Sequence, residues 1–255
     1  MRILVTNDDG IDARGIKLLE EVARTFSDDV TVVAPAEEQS GKGRSLTITQ
    51  PMRIRSYDDR HHAVGGTPTD AVIAALALFM KDSPPDLVLS GINRGSNLAE
   101  DVSYSGTVSA AMEGALAGIP AIALSQVYAR PGMGDAVPFA CAEAWARRAL
   151  EPLIAGLADW VPNTLVNVNF PAIEPEQVKG IRVVRQGLRD YGDPQLQKSV
   201  DPRGYDYYWL NVGRVKHRSV ATDLELSDQG YVTVTPLHLD LTHDPSLARL
   251  EQLYR

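Results

Sequence analysis

Short apolar runs of strand length alternate with segments whose apolar residues recur at helical spacing, and this alternation restricts the fold more than any other feature of the chain. It specifies βαβ units, in which a mostly parallel sheet is covered by helices on both faces. The first strand is expected at about Arg2 to Thr6. After a turn over Asn7 to Gly10, Leu18, Val22 and Phe26 recur every four residues with Leu19 and Ala23 beside them, while Lys17, Glu20, Glu21 and Arg24 take the other face. That spacing predicts an amphipathic helix packed on the sheet. Val30 to Val33 reads as a second buried strand, ended by Ala34 and Pro35.

From Leu46 to Val64 apolar and polar positions alternate, in Leu46 and Ile48 and again in Met52 and Ile54, which predicts a small antiparallel excursion from the parallel core. Thr67, Pro68 and Asp70 stand as N-cap, first and third helical residues ahead of the apolar run Ala71 to Met80. Asp86 to Ser90 is the next strand, and Gly91 to Gly106 reads as a polar loop. Thr107 to Gly118 is a small-residue helix whose Ala110, Gly114 and Gly118, spaced four apart, allow close approach to a neighbour. A strand at Ala121 to Val127, an alanine-rich helix within Ala136 to Leu157 and a strand at Thr164 to Phe170 follow. Beyond Ile181 the pattern becomes β-rich, most clearly at Tyr205 to Leu210 and Tyr231 to Leu241. No repeat or linker divides the chain. It reads as one α/β domain over residues 1–255, with a core of about 1–180 and a β-rich C-terminal extension of about 181–255.

The 255 residues, 44% of them hydrophobic, supply a sizeable core, which argues against disorder. A formal net charge of -8 disfavours a nucleic-acid polymer or an anionic membrane as partner. Cys141 is the only cysteine, so an internal disulfide is excluded and a reducing compartment suits the chain. The apolar run Ile3 to Val5 is too short for a secretory signal, and Ala71 to Met80 is about half the roughly 20 residues that span a bilayer. A cytoplasmic protein is expected.

Ligands of open α/β sheets bind at the carboxyl ends of the strands. Asp8 and Asp9 follow the first strand, Ser40 lies in the loop after the second, and Asn93 follows the Asp86 to Ser90 strand. Two carboxylates, a hydroxyl and an amide carbonyl form a hard-oxygen set suited to one Mg²⁺ or Mn²⁺. Adjacent carboxylates repel unless a cation or several donors compensate them, and Gly10 provides the turn that lets both converge. The alternative is that Asp8 caps the turn or the following helix and Asp9 is solvated.

Tyr104-Ser105-Gly106-Thr107 opens the small-residue helix. Unpaired N–H groups, the helix dipole and two hydroxyls there would hold a phosphate, although Ser105 or Thr107 would equally serve as an ordinary N-cap. Arg94 and Asn97, in the preceding loop, would add a charge and an amide donor. The loop Ser40-Gly41-Lys42-Gly43-Arg44 lacks the spacing of a nucleotide-triphosphatase phosphate loop, and Lys42 and Arg44 read as solvated. The dinucleotide-binding glycine motif, the serine-nucleophile elbow and the zinc-protease motif are absent, and His61, His62, His217, His238 and His243 are not required by any of this chemistry.

These segments together are distinctive. Met1-Arg2-Ile3-Leu4-Val5-Thr6-Asn7-Asp8-Asp9-Gly10, Val33-Ala34-Pro35 running to Gln39-Ser40, Gly65-Gly66-Thr67-Pro68-Thr69-Asp70, Ser90-Gly91-Ile92-Asn93-Arg94-Gly95, Tyr104-Ser105-Gly106-Thr107-Val108 and Gly230-Tyr231-Val232-Thr233-Val234-Thr235-Pro236-Leu237 closely resemble the SurE (survival protein E) family of metal-dependent 5′/3′-nucleotidases. The resemblance runs over essentially the whole chain, most loosely at residues 128–161 and 187–226. It implies a Rossmann-like three-layer fold and hydrolysis of nucleoside 5′- and 3′-monophosphates by metal-activated water, with polyphosphate as a side substrate in some members.

Carried over by position, it implies metal ligands Asp8, Asp9, Ser40 and Asn93, with Asp8 or Asp9 also orienting the water or taking its proton, and phosphate contacts at Asn97, Ser105, Gly106 and Thr107. It implies one divalent ion per subunit, and homodimers or homotetramers that exchange C-terminal segments. Two other chemistries compete with direct water attack. One makes Asp8 a nucleophile through a phospho-aspartate, as in haloacid-dehalogenase-like phosphatases, whose two carboxylates stand one residue apart rather than adjacent. The other is a non-catalytic phosphate sensor, in which the paired negative charge would gain nothing without a cation.

Overall fold

The computed structural model describes residues 1–128, 139–190, 195–211, 216–217 and 221–254. Its strands are β1 (Arg2–Thr6), β2 (Asp29–Pro35), β3 (Ile54–Ser56), β4 (His61–Val64), β5 (Leu87–Arg94), β6 (Ala121–Gln126), β7 (Thr164–Phe170), β8 (Ile181–Val183), β9 (Arg189–Asp190), β10 (Gln195–Val200), β11 (Asp206–Asn211), β12 (Lys216–His217) and β13 (Val232–His238). Its α-helices are α1 (Arg14–Arg24), α2 (Pro68–Ala74), α3 (Gly106–Leu116), α4 (Ala140–Ala155), α5 (Asp223–Asp228) and α6 (Asp244–Leu253). A nine-stranded sheet runs in the order β3-β4-β2-β1-β5-β6-β7-β13-β8. Strands β4, β2, β1, β5, β6 and β7 are parallel, whereas β13 is antiparallel to β7. β10 and β11 form a separate antiparallel hairpin, and β9 pairs antiparallel with β12.

Three layers follow from side-chain alternation along the central strands. Ile3 and Val5 point to one face with Leu87, Leu89 and Ile122, where Ile16, Leu19 and Val22 of α1 and Ala142, Ala146 and Leu150 of α4 cover them. Leu4, Val33 and Val88 point to the other, beneath Ala71 and Val72 of α2 and Val108 and Ala111 of α3. The strand order reverses at β1, which has β2 on one side and β5 on the other. The carboxyl ends of these three strands are therefore the expected ligand-binding edge.

The expected capping box forms: the Thr67 hydroxyl accepts the Asp70 N–H, and the Asp70 carboxylate accepts the Thr67 N–H at 2.8 Å. α2 then widens into a π-type turn at Ala75–Phe79.

Three expectations from the sequence change. Leu46 and Ile48 are exposed and belong to no strand; only Ile54–Ser56 pairs antiparallel, with β4, while β4 itself joins the parallel sheet. The segment read as a polar loop from Gly91 begins as strand, because Ile92 is fully buried and β5 continues through a register shift to Arg94 before a 3₁₀ turn at Ala99–Ser103. Gly114 does bring α3 close to the sheet, since an added Cβ would lie 2.8 Å from Val88 Cγ2. Gly118 instead follows the end of α3 with φ +77°, and a Cβ added there would meet nothing within 4 Å. The alanine-rich helix starts at Ala140; residues 136–138 of the expected span lie outside the described residues.

Candidate active site

The turn after β1 places two carboxylates at the sheet edge. Asn7 Nδ2 donates to Gly10 O at 2.8 Å, and Gly10 adopts φ +100°, a left-handed conformation suited to glycine. Asp8 is buried, and its backbone carbonyl accepts the N–H of Gln39 at 2.8 Å, which ties the loop after β2, with Ser40, to the loop after β1. Asp9 Oδ2 accepts the backbone N–H of Arg94 at 2.9 Å, so the end of β5, with Asn93, is tied to the same turn. The segments that carry the candidate ligands, after β1, after β2 and at the end of β5, thus adjoin at the Asp8–Asp9 turn. Ser40 is the most exposed of them and donates to Glu38 Oε1 at 2.9 Å. Asn93 is partly buried, and its Nδ2 donates to Gly95 O at 3.0 Å.

The mouth of α3 abuts Asp8. Thr107 Oγ1 donates to Asp8 Oδ1 at 2.5 Å. A Cβ added at Gly106 would sit 2.7 Å from Asp8 Cβ and 3.0 Å from Pro68 Cγ, so only glycine lets the helix terminus and the carboxylate stand this close. Ser105 is the N-cap, its hydroxyl accepting the Val108 N–H at 3.0 Å. The capping role and the proposed phosphate role therefore fall on one residue.

Asn97 is clamped from three sides. Its Nδ2 donates to Ser125 Oγ at 2.7 Å and its N–H to Asn169 Oδ1 at 2.9 Å. Its carbonyl accepts from Asn167 Nδ2 at 2.7 Å and Asn169 Nδ2 at 3.2 Å. Sequence reasoning passed over Asn167 and Asn169. The usable signal was their spacing: two asparagines at i and i+2 point to one face of a strand, and a buried strand tolerates them only with partners.

Burial pushes the Asp8 carboxyl up to about 6, aided by the charge of Asp9 and opposed by the Thr107 hydrogen bond. Asp9 is raised as well, by burial and the charge of Glu38, against the pull of the Arg94 N–H and guanidinium. Burial thus makes ionisation of the two acids costly, and the candidate donors are all oxygens, which fits a hard divalent cation. Among the described residues no three His, Cys, Asp or Glu side chains gather as a metal site. The proposed set has two carboxylates and relies on neutral oxygens for the rest.

Two cavities border the cluster. One of about 270 Å³ is lined by Asp9, Arg14, Glu38, Arg94 and Phe139; another of about 300 Å³ by Glu37, Gln39, Thr47, Gln50, Gly66 and Thr67. Of the candidate residues only Asp9 lines the first of these; the second, and a larger cavity of about 560 Å³ around Val184, His238 and Leu241, include none.

Residues 3–193 match the family model described as Survival protein SurE. The chain is 62% identical to 5′-nucleotidase SurE of Rhizorhabdus wittichii over the full length of both, and 50% identical to 5′-nucleotidase SurE of Erythrobacter litoralis over 97% of each. The crystal structure of Sure protein from Aquifex aeolicus superposes with a TM-score of 0.82 at 40% identity, covering all of both chains.

Proposed function

The chain belongs to the Survival protein SurE family, and from that premise we propose that it is a metal-dependent phosphomonoesterase that hydrolyses nucleoside 5′- and 3′-monophosphates to nucleoside and phosphate. The observation that carries this reading is the contact between Gly106 and Asp8. A helix mouth suited to an anion lies against the buried Asp8 carboxylate, and a cation held by the acids would reconcile the two. The names of the Rhizorhabdus and Erythrobacter relatives support nucleoside monophosphates as the substrate class. Polyphosphate is proposed as a side substrate of the same site.

Asp8, Asp9, Ser40 and Asn93 would hold one Mg²⁺ or Mn²⁺ per subunit. Such an ion, when bound, neutralises phosphate charge and acidifies a water. Asp8 or Asp9 then orients the attacking water or accepts its proton. The first N–H groups of α3, at Gly106 and Thr107, have no intrahelical acceptor; that of Thr107 faces the Asp8 carboxylate, and both would turn to the phosphoryl oxygens, with Ser105 and Asn97 adding side-chain contacts. No histidine enters, and the leaving alkoxide takes its proton from solvent.

We place the protein in the cytoplasm. Cys141 is free and buried, its thiol pushed up to about 12 by burial, so it needs no oxidising environment. Among the described residues no helix is long and apolar enough to cross a membrane. We further propose a homodimer or homotetramer that exchanges C-terminal segments, supported by the exposed Tyr207, Trp209, Leu247 and Leu253 of β11 and α6.

The test is phosphate release from AMP with Mn²⁺. Activity is expected to vanish with EDTA and to fall at least 100-fold in Asp9→Asn, the scale of losing an electrostatic catalytic group. Binding of AMP without any release would replace the enzyme with a phosphate-ligand sensor.

A further inference from the structure

Beyond the end of β5 at Arg94 the chain passes Asn97, makes the 3₁₀ turn Ala99–Ser103 and reaches Ser105, the N-cap of α3. Ala99 is fully buried at φ +52°, a left-handed conformation that a residue with a Cβ keeps only when its surroundings hold it. Those surroundings come from the C-terminal extension. The carboxylate of Asp223, completely buried at the start of α5, accepts the Ala99 N–H through Oδ2 at 2.9 Å. Gln186 Nε2 donates to the Ala99 carbonyl at 2.8 Å. Asp223 Oδ1 meanwhile accepts the N–H groups of Gly187 at 2.7 Å and Leu224 at 2.8 Å, so the carboxylate is anchored to two segments of the extension. Leu224 packs with Leu98 and Ala99 in a small apolar cluster of its own.

We propose that Asp223, with Gln186, is a positioning residue for the phosphate site. It fixes the peptide of Ala99, and through it sets Asn97 on one side and the Ser105–Thr107 mouth on the other. Through Gln186 and Asp223 the extension therefore completes the site of its own subunit, and the exchange proposed above is confined to the β10–β11 hairpin and α6. This inference deepens the nucleotidase reading and rests on it.

Asp223→Asn tests the central bond. Its amide keeps an oxygen for Gly187 and Leu224 but turns an NH₂ group toward the Ala99 N–H. Gln186→Met removes the second tie at an exposed position and carries the test alone if Asp223→Asn does not fold. In the full-length protein the readouts are KM and kcat for AMP with Mn²⁺, competitive inhibition by inorganic phosphate, and melting temperature with and without phosphate. Asp223→Asn is expected to weaken phosphate inhibition and raise KM about tenfold, the scale of one lost charge-assisted hydrogen bond. Gln186→Met should act in the same direction by a smaller factor and melt near the wild type without phosphate, while Asp223→Asn, with two donors facing each other at a buried position, should also melt lower. Folded variants with wild-type KM and phosphate inhibition, or with only a lowered melting temperature, overturn the inference. A wild type that releases no phosphate from any nucleoside monophosphate overturns the nucleotidase reading instead. The phosphate-induced rise in melting temperature needs no turnover and tests the clamp in that case too.

Discussion

β5 and β11 are similarly apolar strands with opposite fates. From Leu87 to Ile92 every side chain of β5 is buried, whereas Tyr207, Tyr208 and Trp209 of β11 are all exposed. The difference lies in neighbours. β5 is paired on both edges, by β1 and β6, and covered on both faces, while β11 pairs only with β10. Apolar content thus marks a strand as needing cover, and topology decides whether the subunit supplies that cover itself. The central sheet satisfies its own surface; the hairpin and α6, which buries no residue at all, leave theirs for the proposed assembly.

Leu89→Ala probes the self-sufficient side of that contrast. Leu89 is fully buried in the layer shared with α1 and α4, so truncation is expected to cost about 2–5 kcal/mol in urea melts, through lost transfer energy and the cavity left behind. A loss below about 1 kcal/mol would mean that the central sheet is no better packed than the hairpin. Next in size is Thr67→Ala at the α2 cap. The hydroxyl satisfies the Asp70 N–H, and its removal should cost about 1 kcal/mol, readable by the same melts.

These two sites also mark what was legible from the chain alone. Buried parallel strands are continuous apolar runs, and a capping box is a local four-residue signal, so β1, β2, β7 and the start of α2 could be read directly. Asp8 and Asp9 were legible because adjacent acids after a buried strand demand compensation. The alternation at Leu46 and Ile48 was misleading, since alternation indicates a strand only where a partner edge exists. The continuation of β5 to Arg94 was hidden by Ser90, Gly91 and Asn93, whose polarity suggested a loop although Ile92 is fully buried. Asp223 and Asn169 were out of reach for a different reason. Their partners lie 124 and 72 residues away, and no local pattern encodes contacts at that range.

The excursion β3–β4 stands between the two regimes, and His61 ties it to the core. Its ring nitrogens meet Asp58 at 2.9 Å and Glu20 of α1 at 3.0 Å. Partial burial disfavours the charged ring, but the hydrogen bonds to Asp58 and Glu20 and the charges of both carboxylates outweigh it, raising the pKa above the usual histidine value of 6.5. A raised folded-state pKa adds stability that is complete below 6.5 and fades as pH climbs through the folded value. Wild type should therefore exceed His61→Gln by about 0.2–1 kcal/mol below pH 6.5, with the gap closing as pH rises through the folded value. A gap that does not change with pH would make the contact one of packing alone.

The smallest expected effect on subunit stability is at Trp209, and it is the most direct test of the opening contrast. Trp209 is 64% exposed, and its ring meets the edge of Tyr207 with centroids 6.2 Å apart. Trp209→Ser, measured at protein concentrations low enough to dissociate any assembly, is expected to change unfolding free energy by less than about 0.5 kcal/mol. At high concentration the same substitution should shift sedimentation toward smaller species, because exposed aromatics at a docking surface carry much of its binding energy. A loss of 2 kcal/mol in the dilute subunit would show the hairpin packed on its own chain. An unchanged sedimentation profile would show that this face is not part of the proposed interface.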